Sequence, residues 1–476
     1  MARIVVIGAG MAGHSTALGL KHRLKDDHDV IVISPSSTWT NPDVMAQIAS
    51  GLQLAQRQTV QLGPLYRRKG IIFHQGMATA VYPKGYRDDP RPQVQMTFTG
   101  SHLEGQVARV PYDYLVIATG HDIDRVAGIP AEATTVPTCV LDRLDSAIAG
   151  EAELRRLLFE LQDSPVDDKP KVIAIGRSAR GMGGFYGALE YALCVDEVLR
   201  AAFLRSRVEL HFFDAGRPWM YGHTDEPKME EDMQTALVHL IESHRLILHQ
   251  DMRLASINGR RVRFVPVHGE GQPGEMECDL VAVEAARVLT PLSVYDANGA
   301  DLRGDLYDGW GRLRVDAKTQ QNGSGQVVTL LPRTFRNPTH RNIFGIGSAI
   351  AMDTRELVEG KDSAPTPVPM QTRDMAHLMS RQVSDLIIEE LTGQKNKVLP
   401  ETLEEIETVL SLCWDYGLIS SRGFYAELTY PKKSSDAARQ VLRVRHGLGP
   451  YWAVRTERFL ERYRAKGRAL WWMLPS

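Results

Sequence analysis

Residues 3–13, RIVVIGAGMAG, leave this chain few folds to choose from. An apolar β-branched run leads into Gly8, Gly10 and Gly13 at G-x-G-x-x-G spacing, and a helix-like stretch, HSTALGLKHRL, follows at once. Each glycine has a separate task in a strand–turn–helix unit that holds a dinucleotide. Gly8 permits the tight turn, Gly10 lets the backbone approach a pyrophosphate, and Gly13 lets the helix lie close on the strand. Ala9, Met11 and Ala12 complete the turn, and the helix N-terminus offers free N–H groups and a partial positive charge to the anion. The expected fold class is therefore α/β, with a dinucleotide site at the start of the numbering. An export signal cleaved from this end is not expected, because cleavage would remove the strand and its turn.

A second strand, DVIVIS (Asp29–Ser34), should end at the ribose. Ser34 and Pro35 stand where a carboxylate is usual. A hydroxyl supplies one weak contact there in place of the stronger acceptor, which weakens the ribose contact and leaves the pyrophosphate site untouched.

VPYDYLVIATG (Val110–Gly120) then places an apolar strand ahead of Ala118, Thr119 and Gly120. About a hundred residues after the glycine turn, this stretch resembles the second signature of the two-dinucleotide-binding flavoproteins, in which the chain returns to cover FAD. The resemblance implies FAD at the first site. A second glycine-rich turn follows the strand in VIAIGRSARGMGG (Val172–Gly184), but Arg177, Ser178, Ala179 and Arg180 separate Gly176 from Gly181. A side chain falls where a backbone would have to touch phosphate, and only glycine lets phosphates come so near. The strand, turn and helix are expected to survive without NAD(P)H binding.

With these motifs in order, the chain resembles sulfide:quinone oxidoreductases and the flavoprotein subunits of sulfide dehydrogenases. KGIIFHQG (Lys69–Gly76) resembles a family strand before the flavin contacts, GALEYALCVDEVLR (Gly187–Arg200) the helix after the broken turn, and FFDAGRPWMYGH (Phe212–His223) a strand and loop ending at an active-region histidine. NPTHRNIFGIGSAIAM (Asn337–Met352) resembles the last flavin-contacting loop, while CWDYGLI and GPYWAVRTERFLERY resemble the C-terminal strand and final amphipathic helix. The resemblance implies two Rossmann-like domains, the FAD domain being interrupted by a degenerate NAD-type domain, plus a C-terminal membrane-associated region. The expected boundaries are 1–165, 166–295, 296–398 and 399–476. It also implies flavin contacts at Ala78, Gly347 and Ser348, and catalytic roles for Cys139 as sulfur nucleophile and His223 as general base or proton relay. A thiolate is the competent nucleophile if its pKa is lowered.

The departures from the family pattern are specific. The second redox cysteine would follow the glycine of the last flavin loop, which here reads Gly347-Ser348-Ala349. GHDIDRVAGIP lacks the cysteine that tethers flavin in some members, so FAD is expected to be non-covalent. Met370 stands near where the family carries a lysine by the quinone, and cannot hydrogen-bond as an ammonium does. Cys139 alone cannot form the intramolecular relay, so a small acceptor such as cyanide, sulfite or glutathione would have to take the sulfur. Cys194, Cys278 and Cys413 are read as structural, and the four cysteines form no metal or disulfide pattern.

No apolar run of about 18 residues occurs, so a membrane-spanning helix is not expected. From Lys432 to Arg468 there are eleven Lys or Arg against three acids, although the whole chain has a formal net charge of −2. In YWAVRTERFLERYRAKGRALWWM, Trp452, Phe459, Tyr463 and Leu470 recur near helical spacing, with arginines on the other faces and Trp471-Trp472 at the end. That pattern suits a helix lying in a membrane interface or docking on a redox protein partner. The expected partners are sulfide or another small sulfur compound, a quinone and the cytoplasmic side of a membrane surface, which the protein would bind peripherally. Nucleic acid is not expected, and a homo-oligomer stays open. The principal alternative is an electron-transfer flavoprotein subunit that has lost sulfide chemistry. A type II NADH dehydrogenase is disfavoured by the turn at Gly176–Gly181.

Overall fold

The computed structural model describes residues 1–100, 102–123, 135–165, 169–178, 186–214, 227–267, 271–285, 287–309, 311–316, 318–321, 327–330, 334–350, 373–394, 408–415, 422–429 and 441–473. The opening motif forms strand β1 (Arg3–Ile7), helix α1 (Met11–Leu24) and strand β2 (Asp29–Ser34). β1 has β2 on one side and Tyr114–Ile117 on the other, both parallel to it. Ile343–Gly345 and Ile72–Tyr82 extend the parallel sheet at its two ends, and Gln93–Phe98 and Val107–Pro111 continue it antiparallel. Ile4–Ile7 and Val30–Ile33 are buried, as the continuous apolar runs of a sheet covered on both faces require. α1 covers one face together with the helix Arg373–Thr392, joined to it by Thr16 Oγ1 donating to Ser380 Oγ at 2.9 Å.

A second, five-stranded parallel sheet runs in the order Thr138–Val140, Leu280–Glu284, Lys171–Arg177, Val208–Asp214, Ile247–Gln250. This sheet moves the first expected boundary. Thr138–Val140 and the helix Leu144–Asp163, assigned above to the first FAD segment, belong to the second fold, because a three-residue strand between loops carries no periodicity that reveals its sheet. At the other end, Ser293–Val294 already pairs with Ala80–Val81 of the first sheet.

The C-terminal part consists of an antiparallel sheet, Thr408–Asp415, Gly423–Thr429 and Val441–Gly447, followed by the helix Leu448–Ala465. Phe424 and Ala426 bury into the core of the second fold, whereas the helix grips both folds. Arg458 meets Glu190 of the second fold at 2.6 Å. Glu461 accepts from His377 of the helix Arg373–Thr392 at 2.8 Å and from Arg464 at 2.7 Å. Arg373 meets Glu457 at 2.8 Å and Asp43 at 3.7 Å.

These contacts correct the expectation for the tail. Arg458 and Arg464 face inward as buried ion-pair partners and are not presented to lipid phosphates, and Trp471 is buried beside α1. The outward ridge is Leu448, Trp452 and Phe459, with Leu470, Trp472 and Met473 exposed after the helix. Tyr463 is only partly exposed and donates to the Ala469 carbonyl at 2.9 Å. Among the described residues, no helix is long and apolar enough to cross a membrane.

The end of this helix also rests on a histidine. His14 Nε2 donates to the Ala465 carbonyl at 2.8 Å, which leaves Nδ1 to accept from Tyr66 Oη at 2.7 Å. Both bonds suit the neutral ring, and burial holds its pKa down to about 4 from 6.5. The folded state therefore resists a proton that the unfolded chain accepts, and stability falls as pH drops from 6.5 to about 4. At full expression the loss is roughly 3 kcal/mol. Urea unfolding at closely spaced pH values should show this slope, and His14→Gln should flatten it.

Candidate functional site

Three motifs that are far apart in sequence meet at the carboxyl ends of the first sheet. Gly8 has φ +96°, and a Cβ there would run into the carbonyl of Ala118. A Cβ on Gly13 would collide with Gly8 O and lie 3.0 Å from Ala118 Cβ. Gly10 is different: a Cβ built on it has no protein atom within 4 Å. The helix that starts beyond Gly10 has no side-chain cap and no acid in its first turn. Thus Gly8 and Gly13 serve packing, while Gly10 faces open space beneath the free N–H groups of α1, as an anion's cradle requires. The last loop closes the same place. Gly347 (φ +76°) lies where its Cβ would come 3.5 Å from Ala12, and Ser348 Oγ pairs with His121 Nδ1 at 2.8 Å.

Of the other expected contacts, Ala9, Ala12 and Ala118 are buried, and Met11 packs partly buried on the core. Thr119 and Gly120 are half-exposed beside the turn. Ser34 is buried opposite Gln75 at the end of β2, and Pro35 is exposed just beyond it. Ala78 is buried three residues past that point, opposite Met96 at a bulge. On the segment after β2, the buried donors Trp39 Nε1 and Asn41 Nδ2 find no partner among the described residues. These features fit the phosphates and polar edges of a dinucleotide. His121 carries no signal in the sequence beyond its place after Ala118-Thr119-Gly120, and only the fold brings it to Ser348.

Cys139 is the main correction. It lies on the edge strand of the second sheet, fully buried, with its thiol donating to the Ser146 carbonyl at 3.6 Å. A Cβ added to Gly150 would sit 2.5 Å from its sulfur, so the helix Leu144–Asp163 packs directly on it. Burial pushes the thiol up to about 12, away from the thiolate that a nucleophile needs. Cys139 is core packing, and positional likeness to a redox cysteine misassigned it. Cys194 and Cys278 are buried too, and Cys278 is likewise pushed up to about 12, by burial first and by Asp279 second. His223 and Met370 lie outside the described residues, and the side chain of Cys413 does as well.

The second fold repeats the strand–helix plan with a different use of its parts. Gly176 is a strand residue whose Cβ would lie 2.6 Å from that of Phe213, so it serves close packing between strands. Asp214, buried, ends the next strand at the place of a ribose-binding acid. Ser178 N donates to Glu284 O at 3.1 Å, and the Glu284 carboxylate accepts from Ala188 N at 3.2 Å in the first turn of the helix Tyr186–Ala201.

An open anion cradle on one Rossmann-like sheet and a second such sheet beside it give a flavoprotein fold, and the similarities that follow make the chain an FAD-dependent oxidoreductase. Residues 2–182 match the family model described as pyridine nucleotide-disulphide oxidoreductase. Within that class the chain is similar to sulfide-quinone reductases. It is 24% identical to "Sulfide-quinone reductase" of Aquifex aeolicus (strain VF5) over 404 residues, covering 83% of this chain and 78% of that one. The fold is similar to the crystal structure of the sulfide:quinone oxidoreductase of Aquifex aeolicus, with a TM-score of 0.71, 18% identity, and coverage of 98% of this chain and 92% of that chain. It is also similar to NDH2 of Plasmodium falciparum in complex with NADH, with a TM-score of 0.64, 12% identity, and coverage of 100% and 99%.

Proposed function

We propose that the protein oxidises hydrosulfide, or a related low-molecular-weight sulfur compound, and delivers the two electrons to a membrane quinone. The observation that carries this reading is the similarity to a sulfide-quinone reductase along most of both chains. Bound FAD would supply a two-electron carrier between donor and acceptor. The chain's own residues then have limited tasks. Gly10 and the first turn of α1 would hold the pyrophosphate, the Ala118–Gly120 and Gly347–Ser348 turns would enclose the cofactor, and His121, fixed through Nδ1 by Ser348 Oγ, would stand beside it.

The three cysteines whose side chains are described are all buried, and in this reading the sulfur leaves on a small nucleophile. With sulfite, hydrosulfide gives thiosulfate, one proton and two electrons, and the quinone takes up the two electrons and two protons to become quinol. The exposed ridge Leu448, Trp452 and Phe459, continued by Leu470 and Trp472, supports contact with a membrane surface, where indoles and aliphatic side chains enter the headgroup boundary. In this reading the FAD part comprises residues 1–123 and 287–394, and the second Rossmann-like part residues 135–285.

Anaerobic mixing is the test. Sulfide with sulfite should bleach the flavin, a short-chain quinone should restore it, NADH should leave it oxidised, and Cys139→Ala should react at the wild-type rate. Rapid bleaching by NADH with none by sulfide would overturn the proposal. The buried state of Cys139 also favours a second reading, an electron-transfer flavoprotein with a non-sulfide donor. Bleaching only in the presence of a redox protein partner would select it.

A further inference from the structure

We infer that Glu284 is the residue that closes the second fold to pyridine dinucleotides: an internal carboxylate occupies the helix pole at which a pyrophosphate would bind. This inference goes beyond the donor and acceptor proposed above and does not depend on them.

Much of a nucleotide-binding plan remains in the second fold. The strand Lys171–Arg177 leads toward the helix Tyr186–Ala201, and the following strand ends in the buried Asp214. What differs is the helix pole. The strand Leu280–Glu284 runs parallel beside Lys171–Arg177 with Glu284 opposite Arg177, which brings the glutamate to the carboxyl edge of the sheet. Its side chain is buried and accepts from Ala188 N at 3.2 Å, and a Cβ on Gly187 would lie 3.7 Å from the same oxygen. The carboxylate therefore lies over the first turn of the helix, where the N–H groups and the positive end of the macrodipole favour an anion.

α1 provides the contrast within the same chain. Its first turn has no acid and no side-chain cap, and the space at Gly10 is open. One pole is left for a ligand's phosphates, and the other is already neutralised. A pyrophosphate entering the second fold would have to displace the glutamate or lie against it. Like charges at close range in a site of low dielectric oppose each other strongly.

The test uses the full FAD-loaded chain and ADP-ribose, which keeps the adenosine and pyrophosphate of NAD but carries no hydride. Calorimetric titration at low salt should show no saturable binding to the wild type. Glu284→Ala should bind at least about tenfold more tightly than the wild type, and Glu284→Gln should gain less because its amide oxygen still accepts from Ala188 N. Flavin content and circular dichroism verify the fold, and if Glu284→Ala does not fold, the near-isosteric Glu284→Gln decides. Saturable wild-type binding as tight as that of the variants, or folded variants with no gain, would overturn the inference. Because ADP-ribose donates no electrons, this result is separate from any finding about sulfide or quinone.

Discussion

Gly10→Ala is expected to purify nearly free of flavin while matching the flavin-stripped wild type in thermal stability. The added methyl meets no protein atom within 4 Å, and Gly10 has φ −69°, which alanine adopts without strain. What it fills is the space through which a pyrophosphate reaches the backbone, so FAD affinity should fall by roughly a hundredfold, the scale of about 3 kcal/mol for displaced phosphate contacts. Gly13→Ala should behave differently. Its methyl would be driven into Gly8 O, a main-chain atom that cannot rotate away, so the turn itself must open. A loss of more than about 3 kcal/mol in stability is expected, in the range of severe overpacking. Visible absorbance per protein separates the two variants from the wild type, and the melting temperature of the flavin-stripped proteins separates them from each other. If Gly10→Ala kept a full complement of flavin, the cradle would have been placed at the wrong turn.

Arg458→Ala should be among the most damaging changes outside the cradle. It leaves Glu190 buried beside the second fold without the guanidinium at 2.6 Å, and removing one member of a buried pair costs about 3–5 kcal/mol. The double replacement Arg458→Met with Glu190→Gln should recover most of that loss, since it removes the carboxylate charge together with the guanidinium. Urea unfolding measures the difference, and the rate of proteolysis within the last helix shows whether that helix has come away. Equal losses in the single and double variants would mean that the cost is one of packing alone.

Which parts of this molecule were legible in the sequence follows from the range of the forces involved. The turn at Gly8–Gly13 and the strand before Ala118 are local patterns, and their geometry followed from backbone sterics. Their meeting with Gly347 and Ser348 could be anticipated only from resemblance, since the contact spans more than two hundred residues. Cys139 was misread because a position in the chain says nothing about what packs on a side chain, and the covering atoms come from Gly150 on the next helix. The final helix was misread for another reason. A helical wheel assigns the apolar stripe to one side and the charges to the other, but it cannot say that Glu457, Arg458 and Glu461 turn inward when their partners, Arg373, Glu190 and His377, lie elsewhere in the chain. Glu284 escaped notice as one acid at the end of an apolar strand.

Because the last helix is bonded to Glu190 of one fold and to His14 and His377 of the other, it works as a brace across the two lobes. Such a strut ties the two lobes through side chains that are themselves buried. Weakening any one of these bonds should therefore be felt on both sides of the joint, since the same helix is anchored on each.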